Sequence, residues 1–208
     1  MSPRSAGRSA ILPMTHTGPV RSSSAERVLD VAENLVAQRG FNAVSYADIA
    51  AQLGVSKPAL HYHFAGKGDL GSALITRYAS RFGAALTALD AAGTAPQTRL
   101  EGYAALYLAV LEEDRMCLCG MLAAEYRTLP TPMQDAVRDF FAANEAWLCT
   151  VLRDGRADGT LQFHGSPPDT AAMIIGCLEG AMLVARPFHD TARFKAAADN
   201  LLAGLTAA

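Results

Sequence analysis

Residues 45–64 constrain the fold most, because they predict two short helices joined at a glycine. Ser45 is placed to cap the first of these helices, and Asp48 follows three residues later, which is the spacing of a capping box. Gly54 can adopt the left-handed conformation that ends a helix without steric cost. The next helix starts with Pro58 in its first turn, where a missing amide hydrogen costs nothing. Such a pair is typical of a helix-turn-helix, whose second helix enters the major groove of DNA.

The second helix of this pair carries side chains that can donate hydrogen bonds to phosphate oxygens or to base edges. They are Lys57, His61, Tyr62 and His63. The first 70 residues hold seven Lys or Arg against five Asp or Glu, whereas the rest of the chain holds eleven against fifteen. The small basic excess therefore lies at the end of the chain that we expect to hold DNA, as phosphate neutralisation requires.

Three stretches at this end of the chain carry a resemblance: Gly40-Phe41, Val55-Ser56-Lys57-Pro58-Ala59-Leu60-His61-Tyr62-His63-Phe64 and Lys67-Gly68-Asp69-Leu70. Residues 24–71 as a whole closely resemble the N-terminal domain of the TetR family of bacterial transcriptional regulators. By that resemblance Lys67, at the start of the fourth helix, would grip a phosphate of double-stranded DNA. The full set of implied DNA contacts is Ser45, Tyr46, Ser56, Lys57, Ala59, Leu60, His61, Tyr62, His63 and Lys67.

From Ala25 onward, apolar residues recur with helical spacing and no convincing strand is found. We expect an all-α protein of about nine helices. An N-terminal three-helix helix-turn-helix DNA-binding domain (residues 25–71) would be followed by a helical ligand-binding and dimerisation domain (residues 72–208). Residues 1–24 are rich in Ser, Pro, Gly and Arg and predict a disordered tail. The tail is either simply solvated or an arm that enters the neighbouring minor groove.

The last two predicted helices have apolar faces, and small residues such as Gly176 and Gly180 would allow a close approach. In the TetR family the corresponding pair packs against its twin. The resemblance therefore implies a homodimer through the last two helices, bound to a palindromic operator. Burial of these faces inside one subunit is the alternative.

The resemblance also implies a small-molecule inducer that binds the second domain and shifts the protein away from its DNA-binding conformation. Glu125 and Glu179 lie among apolar neighbours and could bind a polar or cationic group of the ligand, whereas a solvated rim is the alternative for each. Residues of the fifth to eighth helices could line the site, although ordinary core packing is the alternative for each of them. The candidates are Tyr103, Tyr107, Cys117, Cys119, Met121, Leu122, Phe140, Trp147, Met173 and Cys177.

The segment Cys117-Leu118-Cys119-Gly120 adds thiol chemistry to this domain. Cys119 is expected near the amino end of the sixth helix with Arg115 close in sequence, and both features would lower the pKa of its thiol. Residues 117–125 are similar to the corresponding region in a branch of the family that responds to unsaturated or electrophilic metabolites and to reactive chlorine. The alternative is that both cysteines are small buried hydrophobic residues.

Composition narrows the remaining function classes. No apolar run approaches the roughly 20 residues that span a bilayer, and four cysteines without a disulfide pattern fit a reducing, cytoplasmic location. A lone Cys-x-Cys does not supply a zinc site, so we expect no metal and no cofactor. Two alternatives to a regulator remain. They are a ligand-binding adaptor without DNA affinity and a hydrolase that uses Cys119 with His164 or His189 as its base.

Overall fold

The computed structural model describes residues 23–206, so all but two residues of the predicted tail, 1–24, lie outside the described residues. Within the described range the chain is helical, and its only β-structure is an isolated bridge between Leu161 and Thr206. The prediction of an all-α chain of about nine helices is confirmed. The helices are α1 (Ser24–Arg39), α2 (Tyr46–Leu53), α3 (Lys57–His63), α4 (Lys67–Ala91), α5 (Pro96–Glu112), α6 (Leu118–Ala124), α7 (Thr131–Asp158), α8 (Pro167–Ala185) and α9 (Thr191–Ala203), with 3-10 turns at Tyr126–Thr128 and Arg186–Phe188.

The helix-turn-helix forms through the local interactions that its sequence predicts. Ser45 accepts a hydrogen bond from the backbone amide of Asp48, and the Asp48 carboxylate accepts one from the backbone amide of Ser45 at 2.8 Å. Gly54 ends α2 in the left-handed conformation, with φ 67° and ψ 33°. Ile49 and Leu60 are buried, each about 1% exposed, and lie in the core beneath α2 and α3. The exposed face of α3 is thereby fixed in orientation.

Helix α4 joins the two parts of the chain. Its 25 residues extend over about 37 Å at 1.5 Å per residue. It packs against α1 and α5, and α7 contacts it from its first turn, where Gly71 lies against Met133, to its middle, where Phe82 packs on Phe140. One face is buried along its length by residues at helical spacing: Leu70, Leu74, Tyr78, Phe82 and Leu86. A displacement of α4 in the second domain would therefore move the end that lies beside α3.

An ionic cluster holds α1 against α4. The buried carboxylate of Glu33 accepts hydrogen bonds from Arg77, at 2.9 Å, and from Arg81. Arg77 also donates to Asp30 at 2.7 Å and to Glu26 at 3.1 Å. Because Glu33 is only 5% exposed, its charge depends on these guanidinium groups rather than on water.

Helix α8 and the turn after it form the most apolar segment of the described chain. Residues Pro167–Phe188 reach the length and hydropathy of a membrane span, with a mean hydropathy of 1.5, so the expectation that no run approaches this length is wrong. Only a third of the window is buried. Leu178 and Met182 face the core, whereas Leu183 and Val184 are 65% and 61% exposed. The helix is apolar on two faces, and one of them has no partner among residues 23–206.

Candidate functional site

Helix α3 presents an exposed face to solvent. Lys57, His61 and Tyr62 are exposed, and Tyr62, with 86% of its surface accessible, is the most exposed of the large apolar and aromatic residues in the described chain. Ala59 is also exposed, as is Ser56, whose hydroxyl makes no capping hydrogen bond. These side chains project from the exposed side of α3, and the opposite side of the helix packs on the core.

Leu60 was predicted to contact DNA, and the structure contradicts that prediction. Its side chain is about 1% exposed and belongs to the core. A side chain on the inward face of α3 cannot reach a base edge or a phosphate. Leu60 therefore anchors the helix instead of touching DNA.

His63 and Lys67 extend the exposed surface toward neighbouring elements. Nε2 of His63 lies 2.8 Å from the hydroxyl of Ser24, at the start of α1. Nζ of Lys67 lies 4.5 Å from the centroid of the Phe41 ring and 3.4 Å from the carbonyl oxygen of Asn42. Partial burial lowers the pKa of Lys67, while Glu125 and, more weakly, Asp48 oppose the shift. Both side chains thus lie at the edges of the α3 surface.

Tyr46 is turned inward, beneath α3. Its hydroxyl lies 2.9 Å from the carbonyl oxygen of Phe64 and 2.8 Å from that of Gly66. Its ring packs against the imidazole of His61, with 4.6 Å between the ring centroids. Burial raises the pKa of Tyr46, and the nearby Asp69 raises it further. The hydroxyl is therefore occupied by the turn between α3 and α4.

Glu125, at the end of α6, binds the loop that leads into α2. Its carboxylate accepts hydrogen bonds from the backbone amides of Phe41, at 2.7 Å, and Asn42, at 3.2 Å. Gly40 has φ 88°, and a Cβ there would lie 2.8 Å from a carboxylate oxygen of Glu125. The Asn42 side chain also donates to the hydroxyl of Thr128 at 2.7 Å. The carboxylate of Glu125 is thus used within the protein and is not free to bind a ligand.

The opposite end of α6 carries the two thiols. Cys117 is the N-cap, and its Sγ accepts a hydrogen bond from the amide of Gly120 at 3.4 Å. Its side chain lies beside those of Tyr78 and Glu179. Burial raises the pKa of the Cys117 thiol well above its ordinary value, and Glu179 raises it further.

The prediction of a low pKa for Cys119 is wrong for this conformation. The side chain is fully buried, and burial raises the pKa of its thiol, with Glu179 and Glu33 adding to the effect. Arg115, expected to stabilise a thiolate, instead donates to Asn34 at 2.8 Å and to Glu113. The thiol is therefore held in its protonated form.

Glu179 brings an unusual carboxyl group to this region. Its Oε1 is buried and has no hydrogen-bond partner among the described residues. Burial raises the pKa of Glu179 to about 7, although the neighbouring Cys117 thiol opposes the shift. Gly120 allows the close approach, because a Cβ there would collide with the carboxylate.

The predicted aromatic ligand residues form a packed cluster. Trp147 stacks on Tyr103 with 5.7 Å between ring centroids. The Tyr103 hydroxyl donates to Asn144 at 3.2 Å, and the Asn144 side chain donates to the carbonyl of Phe140 at 2.7 Å. Asn144 is thus a buried side chain whose amide oxygen and nitrogen both have hydrogen-bond partners within the core. Burial raises the pKa of Tyr103 and of Tyr107, which is fully enclosed by the same cluster.

Two surface cavities, of about 480 and 430 Å³, lie away from this cluster. The first lies between α5 and α9, and the second between α1, α4 and α5. Neither is lined by any of the predicted ligand residues. Met121 is half-buried and Leu122 belongs to the core.

Met173 and Cys177 were predicted to line the ligand site, and the structure contradicts this. Both are exposed on the outer face of α8, opposite the face that packs on the rest of the domain. Within one chain they cannot enclose a ligand.

The geometry gives no support to catalysis or metal binding. Cys119 is buried, whereas His164 is exposed and His189 lies 3.9 Å from Asp114. The hydrogen bonds of residues 23–206 join neither histidine to the thiol. In that same range, no three His, Cys, Asp or Glu side chains are grouped so that they could hold a metal ion.

Two family models match this chain. The model described as bacterial regulatory proteins, tetR family, matches residues 28–74, which contain the helix-turn-helix. The model described as tetracyclin repressor-like, C-terminal domain, matches residues 96–201, which is half of the chain.

Curated relatives and solved structures agree with these matches. The chain is 26% identical over 188 residues to the HTH-type transcriptional repressor NemR of Escherichia coli (strain K12), covering 86% of this chain and 93% of NemR. It is 26% identical over 172 residues to the HTH-type transcriptional repressor DhaR of Mycobacterium sp. (strain GP1), covering 79% and 81% of the two chains. A TetR-family regulator from Agrobacterium tumefaciens superposes with a TM-score of 0.85 at 31% identity, over 88% of this chain and 97% of that one. The reduced form of E. coli NemR superposes with a TM-score of 0.76 at 25% identity, over 88% and 98%.

Proposed function

This chain belongs to the TetR family of bacterial transcriptional regulators, and on that premise we propose that it is a repressor released from a palindromic operator by a small-molecule inducer. It is a DNA-binding regulator, and the two curated relatives named above are both repressors. The observation that carries the proposal is α3, which exposes Lys57, His61 and Tyr62 while Leu60 anchors it. We assign residues 25–71 to DNA, residues 72–208 to the inducer and the partner subunit, and the protein to the cytoplasm.

Selection of bound duplexes from a random DNA pool by the purified protein tests this proposal. Enrichment of a palindrome is the expected result, because a two-fold symmetric dimer presents two copies of α3 to two half-sites. A folded, dimeric protein that enriches no sequence would instead support the adaptor that binds a ligand without DNA.

The contacts of α3 divide into two classes with different expected effects. His63→Ala and Lys67→Ala should weaken binding to all sequences alike, and Lys67→Ala should also reduce the salt dependence by about one phosphate contact. Lys57→Ala and His61→Ala should change the preferred base at one position. Dissociation constants for the selected palindrome and its single-base variants, at several salt concentrations, measure both effects. If all four variants bound DNA as the unmodified protein does, the assignment of α3 as the helix that contacts DNA would be wrong.

We propose a homodimer formed through α8 and α9. TetR-family repressors act as dimers, and α8 carries an exposed apolar face that the single chain leaves uncovered, with Met173, Leu183, Val184 and the following Phe188 all at least 45% exposed. Gly176 and Gly180 lie on this helix, and a Cβ at either position would meet no atom within 4 Å. The open space and apolar surface together fit the approach of a second copy of α8.

Leu183→Glu should therefore disrupt the dimer. A charge placed in a desolvated apolar interface costs several kcal/mol unless it is paired, so dimerisation should weaken at least tenfold. Sedimentation would then show a monomer, and operator affinity would fall with it. Thr98→Glu, on the exposed first turn of α5, is the matched control and should remain dimeric. A dimeric Leu183→Glu variant with full operator affinity would contradict the proposed interface.

We propose that the inducer acts through α6, because each end of this short helix holds a different part of the protein. At one end Cys117 lies beside Tyr78 and Glu179 inside the second domain, and the Glu179 carboxylate packs against Gly120 of α6. At the other end Glu125 binds the loop that precedes α2. The amide of Met116 also donates to a carbonyl of α1 at 3.1 Å. A ligand that displaced α6 would therefore also displace the loop before α2 and the end of α1, which belong to the DNA-binding domain.

A thiol-reactive electrophile is a second candidate inducer, and the observation that favours it is the Cys117 thiol at the N-terminus of α6, where it accepts a hydrogen bond from the amide of Gly120. Both thiols of α6 are buried, so the domain must open before either one reacts. Treatment with a mild electrophile should release the operator from the unmodified protein and leave it bound to Cys117→Ser or Cys119→Ser. Release from both serine variants would exclude the thiols of α6 as the target.

Glu125→Ala should loosen the helix-turn-helix from α6. The amides of Phe41 and Asn42 would lose a charged acceptor, a loss worth about 1.5 to 3 kcal/mol. Hydrogen exchange of these amides should accelerate about tenfold or more, and operator binding should weaken. Glu112→Ala, which removes an exposed glutamate of α5, is the control and should leave both unchanged. Unaltered exchange in Glu125→Ala would rule out the proposed connection.

A further inference from the structure

The imidazole of His61 is held in one orientation by groups of its own domain. Nδ1 lies 3.1 Å from the carbonyl oxygen of Ala65, and the ring packs against that of Tyr46 at 4.6 Å. A carbonyl oxygen can only accept a hydrogen bond, so Nδ1 must carry the hydrogen. In the neutral imidazole Nε2 then has a free lone pair and acts as an acceptor.

Tyr46 is itself fixed to the same turn. Its single hydroxyl hydrogen is shared between the carbonyl oxygens of Phe64 and Gly66, at 2.9 and 2.8 Å. These two residues flank Ala65, whose carbonyl accepts from His61. One turn between α3 and α4 therefore determines the positions of both the tyrosine ring and the imidazole that lies against it.

We propose that His61 is a specificity-determining residue, which accepts a hydrogen bond from an exocyclic amino group of a DNA base, and that Tyr46 is its positioning residue. In the major groove only adenine N6 and cytosine N4 offer such a donor, whereas guanine and thymine present acceptor oxygens. His61 is exposed on α3, so its Nε2 side faces away from the turn that holds Nδ1. The inference rests on the proposed placement of α3 in the major groove.

The competing role for Tyr46 is a direct phosphate contact, since the family resemblance implied a contact with DNA. The two roles differ in how they depend on the base. A lost phosphate contact would weaken binding to every base alike, because a phosphate carries no sequence information. A lost positioning contact leaves the number of phosphate contacts unchanged and relaxes the base preference of the residue that it positions.

The test compares the unmodified protein with His61→Ala, Tyr46→Phe and the double variant. Dissociation constants are measured for the selected palindrome with each of the four bases at every half-site position, at about pH 8 and several salt concentrations. Tyr46→Phe keeps the ring that packs on His61 and removes only the hydroxyl. Tyr46→Leu removes the ring as well, and circular dichroism verifies that each variant is folded.

The unmodified protein should prefer adenine or cytosine at one position by about fivefold or more, the discrimination of a single good base contact. His61→Ala should abolish that preference and leave the other positions unchanged. Tyr46→Phe should weaken it at least twofold with the same salt dependence, and Tyr46→Leu should weaken it further. In the His61→Ala background Tyr46→Phe should have no additional effect, whereas combined with Lys57→Ala, at the other end of α3, the two losses should multiply.

Other outcomes overturn the inference in distinguishable ways. A preference for guanine or thymine at the position that responds to His61→Ala would show that His61 donates instead of accepting. His61→Ala with every base preference intact would remove His61 from specificity. An equal loss of affinity for every base in Tyr46→Phe, additive with His61→Ala, would make Tyr46 a direct phosphate contact. Failure of the unmodified protein to bind any duplex would contradict the proposed function itself.

Discussion

Replacing Glu179 with glutamine should raise the free energy of unfolding at pH 8 by about 3 kcal/mol. Burial raises the pKa of this carboxyl from 4.5 to about 7, and each unit corresponds to 1.36 kcal/mol. A carboxyl whose pKa is raised on folding stabilises the folded protein only while it is protonated. Its contribution is complete below about pH 4.5, declines as the pH rises through the window from 4.5 to 7, and is absent above it. Glutamine is neutral at every pH and avoids that decline.

Urea unfolding at pH 5 and pH 8, at one protein concentration because the dimer contributes to stability, measures the effect. The glutamine variant and the unmodified protein should be close in stability at pH 5 and diverge at pH 8. Glu145→Gln, which changes an exposed glutamate of α7, should alter neither value by more than about 0.5 kcal/mol. Equal stability of Glu179→Gln and the unmodified protein at pH 8 would show that the carboxyl is solvated.

The helix-turn-helix was predictable because its determinants are local. The capping box of Ser45 and Asp48 and the left-handed Gly54 depend on neighbours within a few residues, and the structure confirms them. Leu60 was misassigned because the resemblance identifies a stretch of sequence and not the side of the helix on which each residue lies. A leucine between polar residues in a seven-residue helix has a simpler role, which is to anchor it to the core.

The ligand site was much less predictable, because its determinants are distant in sequence. From the sequence, Glu125 and Glu179 were both expected to be carboxylates among apolar neighbours that could bind a ligand. The structure separates them: two backbone amides more than 80 residues away bind Glu125, whereas one oxygen of Glu179 is buried without a partner in the described chain. Hydrophobic periodicity carries no information about which distant group faces a side chain.

Cys119 shows how the magnitude of competing effects decides a pKa. A helix terminus stabilises a charge by about 0.3 to 1 kcal/mol, which is less than one pKa unit. Complete burial shifts a pKa by as much as 3 to 5 units in the opposite direction for a thiol. Sequence position predicted the first effect, and only the fold revealed the second, which dominates.

The predicted aromatic ligand residues also depended on information that the sequence lacks. Their helical spacing cannot distinguish the wall of a cavity from the packed cluster around Tyr103.

Glu33→Gln should lower the free energy of unfolding by about 3 kcal/mol. Its carboxylate is 5% exposed and serves both Arg77 and Arg81, with Arg115 at 3.9 Å. Removing one partner from a buried ion pair costs about 3 to 5 kcal/mol, because the remaining charge is left desolvated. Arg77 keeps its bonds to other acids and Arg81 is 40% exposed, so the lower end of that range is expected.

The Glu33 cluster also connects the two domains, since α1 belongs to the DNA-binding end and α4 continues into the second domain. Glu33→Gln should therefore weaken operator binding as well as stability, by letting α1 and the helices it braces shift on α4. Asp135→Asn is the matched control, because it breaks an ion pair with Arg138 that is exposed on both sides and worth less than about 1 kcal/mol. Equal losses of stability in Glu33→Gln and Asp135→Asn would mean that water, and not the guanidinium groups, supports the buried carboxylate. A loss confined to Glu33→Gln, accompanied by weaker operator binding, would establish that the cluster holds the DNA-binding helices against the helix that connects them to the inducer domain.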